Sequence, residues 1–215
     1  VNLCRRQRED TGRDDSLTIR HGEPALLNRL VAFLNREGPK KQFFPAIDQE
    51  DFGTDYLRGL APRDFLVAFR GQTIVGAIAK WDQRHFKQNI VCGYSGSLRL
   101  FRPVLNAVLK SAGFRPLPKP GECLNMCYAA FICIKDDDPA VLRWLLRQLC
   151  FENRASGYHY LLAGFHERDS LRKVMASFRV VGYASRLYLA CWDNGLDFTE
   201  NLAPGRVPYL EPAML

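Results

Sequence analysis

Leu124–Tyr183 reads LNMCYAAFICIKDDDPAVLRWLLRQLCFENRASGYHYLLAGFHERDSLRKVMASFRVVGY, and the switch between its apolar runs and its helically spaced stripes decides which folds are open to the chain. Leu124–Ile134 is the most apolar run. Its continuity suits a strand covered on both faces at the centre of a sheet. Asp138-Pro139 then opens a helix, the aspartate as a side-chain cap and the proline at the first position, where a missing N–H costs nothing. Val141, Leu142, Leu145, Leu146 and Leu149 form its buried stripe, and Gly157 closes it. Tyr160–Phe165 reads as another short strand, Asp169–Phe178 as a shorter helix with Leu171, Val174, Met175 and Phe178 on one face, and Ser185–Trp192 as a last strand.

Upstream, Ser16–His21 alternates as a short strand, and Pro24–Arg36 spaces Leu27, Leu30, Val31 and Leu34 as a helix. Asp51–Leu60 reads as a second, short helix ended by Pro62. Asp64–Arg70 and Gln72–Trp81 are two β-rich strands hinged at Gly71-Gln72, a hairpin signal. Pro103–Ala112, with Val104, Leu105, Val108 and Leu109, reads as a helix from a proline start, followed by a Pro- and Gly-rich connector. The stretch 95–121 is too short to bury a core alone and is expected as an insertion in one domain. The expected organisation is a flexible basic arm at 1–15, a single domain at 16–193 and a C-terminal tail at 194–215.

Composition narrows the function classes. With 215 residues, 47% hydrophobic and 25% charged, the chain is in the range of one globular domain. No uninterrupted apolar run approaches the about 18 residues of a membrane span, and "VNLCRRQREDTGRDD" has no secretory core. A soluble, cytoplasmic protein without a membrane partner is expected. Its seven cysteines, an odd number scattered mostly through apolar segments, read as reduced buried thiols. Cys123 and Cys127 would stand about 13 Å apart on a strand, too far to share an ion. His21, His85, His159 and His166 are isolated in sequence. No metal is expected. The net charge of +7 invites a nucleic-acid reading, but Glu9, Asp10, Asp14 and Asp15 offset Arg5, Arg6, Arg8 and Arg13. The remaining basic residues read as spread over helix faces, with no basic helix standing out, so a nucleic-acid partner is not expected.

The order of elements, the apolar strand feeding a capped helix, the "SGYHYLL" step and the "SFRVVGY" ending resemble the GNAT acetyltransferase superfamily over roughly Ser16–Asp193. The resemblance implies an α/β (α+β) fold with a mixed, mostly antiparallel sheet flanked by helices. It also implies that the central strand splays from its parallel neighbour, with acyl-coenzyme A in the resulting V. The pantetheine arm would bond to strand backbone at Ile132, Cys133 and Ile134, and the pyrophosphate to the turn and helix start at Ala140, Val141, Leu142 and Arg143. The expected donor is acetyl-CoA or another acyl-CoA, or an acyl carrier protein, and the acceptor an amine on a small molecule or protein.

Two departures qualify that expectation. The family's Arg/Gln-x-x-Gly-x-Gly/Ala signature falls on Asp137, Ala140 and Leu142, so only Ala140 is small. Asp136 and Asp138 add carboxylates where phosphate donors belong. The tyrosine that protonates the departing thiolate in many members falls on Phe178, leaving Tyr183 or Tyr188 as substitutes. His166 and Glu122 are the candidate bases for the attacking amine, each with a plainer reading as a surface residue, and Trp81 and Gln83 are candidate acceptor contacts. A non-catalytic module that binds a ligand or protein stays open beside the acyltransferase, as does a homodimer formed through a final strand or the tail.

Overall fold

Strands β1 (Leu17–His21), β2 (Phe65–Arg70), β3 (Thr73–Trp81), β4 (Met126–Ile134) and β5 (Tyr160–Leu162) form one sheet in that order. Every neighbouring pair is antiparallel except β4 and β5, which are parallel. A computed structural model describes residues 16–111, 116–188, 192, 202 and 205–215. The mixed, mostly antiparallel sheet flanked by helices is the architecture expected from the sequence.

Both faces of the sheet are covered, which explains the unbroken apolar runs in β2 and β4. Helix α1 (Leu27–Glu37) packs Leu30, Phe33 and Leu34 on one face with Phe65, Val67, Ala77, Ala79, Tyr128 and Ala130. On the other face, the long helix that begins at Pro139 sets Val141, Leu142, Leu145, Leu146 and Leu149 against Leu66, Ala68, Ile78, Cys127 and Ala129. That helix lies so close to β3 that a Cβ on Gly76 would stand 2.6 Å from Val141 Cγ1. Its cap is the expected one: Ala140 N–H donates to Asp138 Oδ1 at 2.8 Å. The β2–β3 hairpin turns at Gly71, whose φ of +58° suits a residue without Cβ.

Several elements differ from the sequence expectation. Asp51–Leu60 is not a helix. A 3-10 turn at Gln49–Asp51 is closed by Asp48 N–H donating to Asp51 Oδ2 at 2.7 Å and Asp51 N–H donating to Asp48 O at 3.2 Å, and Gly53 and Gly59, at φ of +96° and +75°, break the chain beyond it. The inserted helix, α2 (Gly96–Ser111), begins seven residues before Pro103 and runs through it. The helix expected at Asp169–Phe178 is a 3-10 segment, Ser170–Ser177, capped by the Asp169 side chain on Leu171 N–H. Helix α3 (Pro139–Ala155) and strand β5 follow the expected order, but β5 stops at Leu162. Residues 185–188 of the expected last strand are not in strand conformation, and 189–191 lie outside the described residues, as do the 1–15 arm and residues 112–115. Arg84 forks onto Asp82 beyond the end of β3, where the extended run does not continue.

The segment expected as a tail folds back onto the sheet, where Tyr209, Glu211 and Ala213 are buried. Gln42 N–H donates to Val207 O, and Tyr209 N–H to Gln42 O. Gln83 Nε2 holds Ala213 O at 2.7 Å, and Lys87 Nζ donates to Leu215 O.

Candidate functional site

Strands β4 and β5 share only three residue pairs, Met126–Tyr160, Cys127–Leu161 and Tyr128–Leu162. Beyond Tyr128 the two chains diverge, and the C-terminal segment lies in the opening. Gly164, just past β5, approaches it so closely that a Cβ there would stand 2.6 Å from Pro212 Cγ and 3.3 Å from Leu210 O.

On the other wall β4 carries a bulge. Ala77 pairs with Cys133 and Ala79 with Ala130, so Phe131 and Ile132 are one residue too many for the partner strand. Phe131 takes a φ of +50°, uncommon for a bulky residue. Its fully buried ring is held among Phe44, Phe65 and Trp81, with centroids 6.3, 5.8 and 6.1 Å away. In a regular strand consecutive N–H groups point to opposite sides. Here both are aimed into the opening: Phe131 N–H donates to Glu211 Oε2 at 2.6 Å and Ile132 N–H to Tyr209 Oη at 2.9 Å. Tyr209 O–H in turn donates to Glu211 Oε2 at 2.8 Å, and Ala213 N–H to Glu211 Oε1 at 3.2 Å. Burial pushes the Glu211 carboxyl up to about 7 against the pull of these donors. Burial, with the Glu211 charge beside it, raises the Tyr209 hydroxyl well above its ordinary range. Two consecutive backbone donors open to the same groove, one held by the Glu211 carboxyl and the other by the Tyr209 hydroxyl that itself donates to that carboxyl, form an anion-binding nest.

At the end of β4 the turn into α3 keeps a glycine-like backbone without glycines. Asp136 and Asp137 have φ of +55° and +49°. Asp137 is paired with Lys41 at 3.2 Å and accepts from Ser170 Oγ at 3.1 Å, and Asp138 both caps α3 and accepts from Arg70 at 3.0 Å. A cleft of about 200 Å³ runs between Lys40, Lys41, Phe44, the Ile132–Ile134 edge and Val207. A wider one of about 560 Å³ is lined by Arg70, Thr73, Lys135, Asp136 and Val141. Cations therefore surround the turn, and its own carboxylates already bind several of them.

The residues expected at the site are dispersed. Ile132, Cys133 and Ile134 are buried along the opening, and only the Ile132 amide is described as bonded into it. Burial pushes the Cys133 thiol up to about 12. Ala140 N–H is spent on the cap, and the Val141 and Leu142 side chains are fully buried in the core. Arg143 Nε is buried without a hydrogen-bond partner among the described residues. Trp81, expected to touch an acceptor, is a core residue with its indole N–H on Arg58 O at 2.9 Å and its ring stacked on Phe131. Gln83 is buried beside the C-terminal segment. Its Nε2 is engaged with Ala213 O, and its Oε1 has no donor among the described residues. His166 lies two residues past Gly164, half-buried, with Nδ1 accepting from Arg168 N–H at 3.2 Å. Glu122 is exposed ahead of β4, at the end of that strand away from the turn, and holds Lys119 N–H. Tyr188 is 83% exposed. Phe178 is buried against the α3 face. Phe131, Tyr209 and Glu211, the residues that form the nest and fill it, were missed. The one signal for them was a glutamate inside the apolar "PYLEPAML".

No family model matches the sequence, and no curated protein matches it. Solved structures with a similar arrangement include a protein described as a predicted acetyltransferase from Clostridium acetobutylicum, solved with acetyl-CoA, at 15% identity over 81% of this chain and 96% of that one, TM-score 0.46. A Trypanosoma brucei acetyltransferase is similar at 14% identity over 80% and 99%, TM-score 0.45. An aminoglycoside acetyltransferase from an uncultured soil metagenomic sample, solved with sisomicin, is similar at 13% identity over 81% and 99%, TM-score 0.42. At these scores the likeness says nothing about this chain's substrates or chemistry.

Proposed function

We propose that the protein is an acyltransferase of the GNAT type, moving an acyl group from a thioester to an amine, with the opening between β4 and β5 as the donor groove. The observation that carries this reading is the paired N–H groups of Phe131 and Ile132, turned into the groove by a strained bulge and capped by side chains rather than by a strand. Side-chain caps can swing away, whereas a paired strand cannot. Two preorganised donors are what acyl transfer needs where negative charge develops on the carbonyl oxygen.

In the proposed reaction the amine nitrogen attacks the thioester carbonyl carbon, and the carbonyl oxygen takes the developing charge against the nest. The carbon–sulfur bond then breaks, the sulfur leaves as thiol after taking a proton, and the nitrogen gives up its extra proton to a base. Glu211, once displaced by the donor, is the carboxylate nearest to the nest, and His166 on the β5 side is the other candidate. Gln83 Oε1, buried and without a donor, is an acceptor suited to an amine N–H. Lys40, Lys41, Lys135 and Arg70 around the turn supply positive charge for a coenzyme A pyrophosphate. An acyl carrier protein would do without that contact.

A second reading, a non-catalytic binding module, draws on the filled groove itself and on Phe178, which has no proton to give. Thermal unfolding with acetyl-CoA, long-chain acyl-CoA and free CoA at low salt separates the two readings. Saturation at about one hundred times Kd adds about 2.7 kcal/mol, and an added amine should then release free thiol. Stabilisation without thiol release from any donor would favour the module, and no stabilisation by any of the three would sink the coenzyme A donor.

A further inference from the structure

Helix α2 turns its apolar side to solvent. Arg102 and Asn106 face its own connector: Arg102 donates to Pro118 O at 2.7 Å, Asn106 Nδ2 donates to Leu117 O at 3.1 Å, and Asn106 Oδ1 accepts from Leu117 N–H at 2.7 Å. Leu100, Phe101, Val104 and Val108 lie on the outer side and are 77%, 62%, 63% and 57% exposed. No residue of the helix is buried. A stripe of this kind is normally turned inward, and on a surface it marks an interaction site.

The charge around this stripe is one-sided. Between Asp82 and Glu122 there is no acidic residue, while Arg84, Lys87, Arg99, Arg102, Lys110, Arg115 and Lys119 make seven basic ones. Of the 30 Lys and Arg in the chain, the other 23 are matched by 23 Asp and Glu. The whole net charge of +7 thus resides in this one stretch. Arg99 and Lys110, at either end of the stripe, are exposed.

We propose that α2 docks the protein on an anionic lipid surface, with Leu100, Phe101, Val104 and Val108 entering the interface and Arg99 and Lys110 held against the headgroups. An exposed apolar stripe on a single helix can enter a lipid interface without a shape-matched groove. Exposed cations at the two ends of the stripe, Arg99 and Lys110, suit a surface of many diffuse charges. An interfacial helix is not a span: among the described residues no helix is long and apolar enough to cross a membrane. Docking in the interface needs no apolar span, the feature on whose lack the expectation of no membrane partner rested. The docking is independent of what the β4–β5 groove holds.

The test is co-sedimentation of the full chain with sonicated vesicles of phosphatidylcholine alone or with one-third phosphatidylglycerol, at low and physiological salt. Binding to the anionic vesicles is expected, weakened by salt and much lower on neutral ones. Arg99→Gln with Lys110→Gln should lower the partition coefficient on the order of 25-fold, roughly fivefold per cation removed. Phe101→Ser with Val104→Ser should abolish binding, and because neither side chain is buried the melting temperature should stay within about a degree or two of the parent's. Failure to sediment with anionic vesicles at low salt overturns the proposal. So does binding that both double variants leave unchanged, and so does capture by an acidic carrier protein without any vesicle binding.

Discussion

Glu211 is a buried carboxyl that accepts from Phe131 N–H, one of the two donors that the proposed reaction would aim at an acyl oxygen, and its cost depends on pH. Its folded pKa of about 7 lies above the ordinary glutamate value of 4.5, so the native state holds a proton that the unfolded chain releases between those values. Its contribution to stability is therefore full below about pH 4.5 and is lost as pH rises to about 7, an effect on the order of 3 kcal/mol. Glu211→Gln keeps an oxygen for Phe131 N–H and carries no charge. The variant should melt above the wild type at pH 8 and lose that advantage by pH 5, and parallel melting curves across this range would disprove the placement. At the turn, Asp136 holds a left-handed backbone, and at its exposed position it pairs with Lys40 at 3.8 Å. Asp136→Gly should leave stability within about 1 kcal/mol and tighten coenzyme A by removing a repelling charge, read by titration calorimetry. Unchanged or weaker affinity would mean that the pyrophosphate lies elsewhere.

Among the elements, β3 and α3 meet at Gly76 without room for a methyl group. Gly76→Ala should destabilise the fold by about 1–3 kcal/mol through overpacking, a loss that denaturant unfolding measures. The β2–β3 hairpin, the capped start of α3 and the central place of β4 were legible because each is set by local chemistry: alternation around Gly71, Asp138 before Pro139, and an apolar run long enough to be covered twice. The errors lie where tertiary contacts decide. The spacing at Asp51–Leu60 suits a helix, but Gly53 and Gly59 adopt positive φ. Strand β5 stops at Leu162 because Gly164 packs on Pro212 instead of on β4. The β4 bulge leaves no mark in "YAAFICI", since both of its residues are as apolar as their neighbours. The segment "GRVPYLEPAML" has no periodicity at all, so neither its place in the groove nor the partners of Tyr209 and Glu211 could be read from it. The one-sided charge of the 83–121 stretch is present in the sequence, but its basic residues are spaced too widely to stand out as a run.

At the scale of the molecule, the sheet splays at β4 and β5, and the chain's own C-terminal segment occupies the opening it creates. The far end of the sheet is tied by the Asp82–Arg84–Tyr158 clasp. Burial opposes ionisation of Asp82, but the Arg84 and Tyr158 hydrogen bonds outweigh it and hold the carboxyl at about 2. That clasp contributes stability above the ordinary aspartate value of 3.8 and loses it as pH falls toward about 2, so Arg84→Ala should lower the melting temperature at pH 7 more than at pH 2. The two ends of the sheet therefore respond to pH in opposite senses, the clasp through acid and the groove near neutrality. Acyl-donor binding has a matching signature. A donor that takes the Phe131 and Ile132 amides must displace Glu211 toward solvent, where its pKa returns toward 4.5 and it releases the proton it held. The most direct measurement is calorimetric titration of acetyl-CoA at pH 6 in buffers of different ionisation enthalpy, for the wild type and for Glu211→Gln. Binding with release of close to one proton in the wild type and none in the variant is the predicted result; binding with no difference between the two proteins, or no binding to either, would contradict the donor groove.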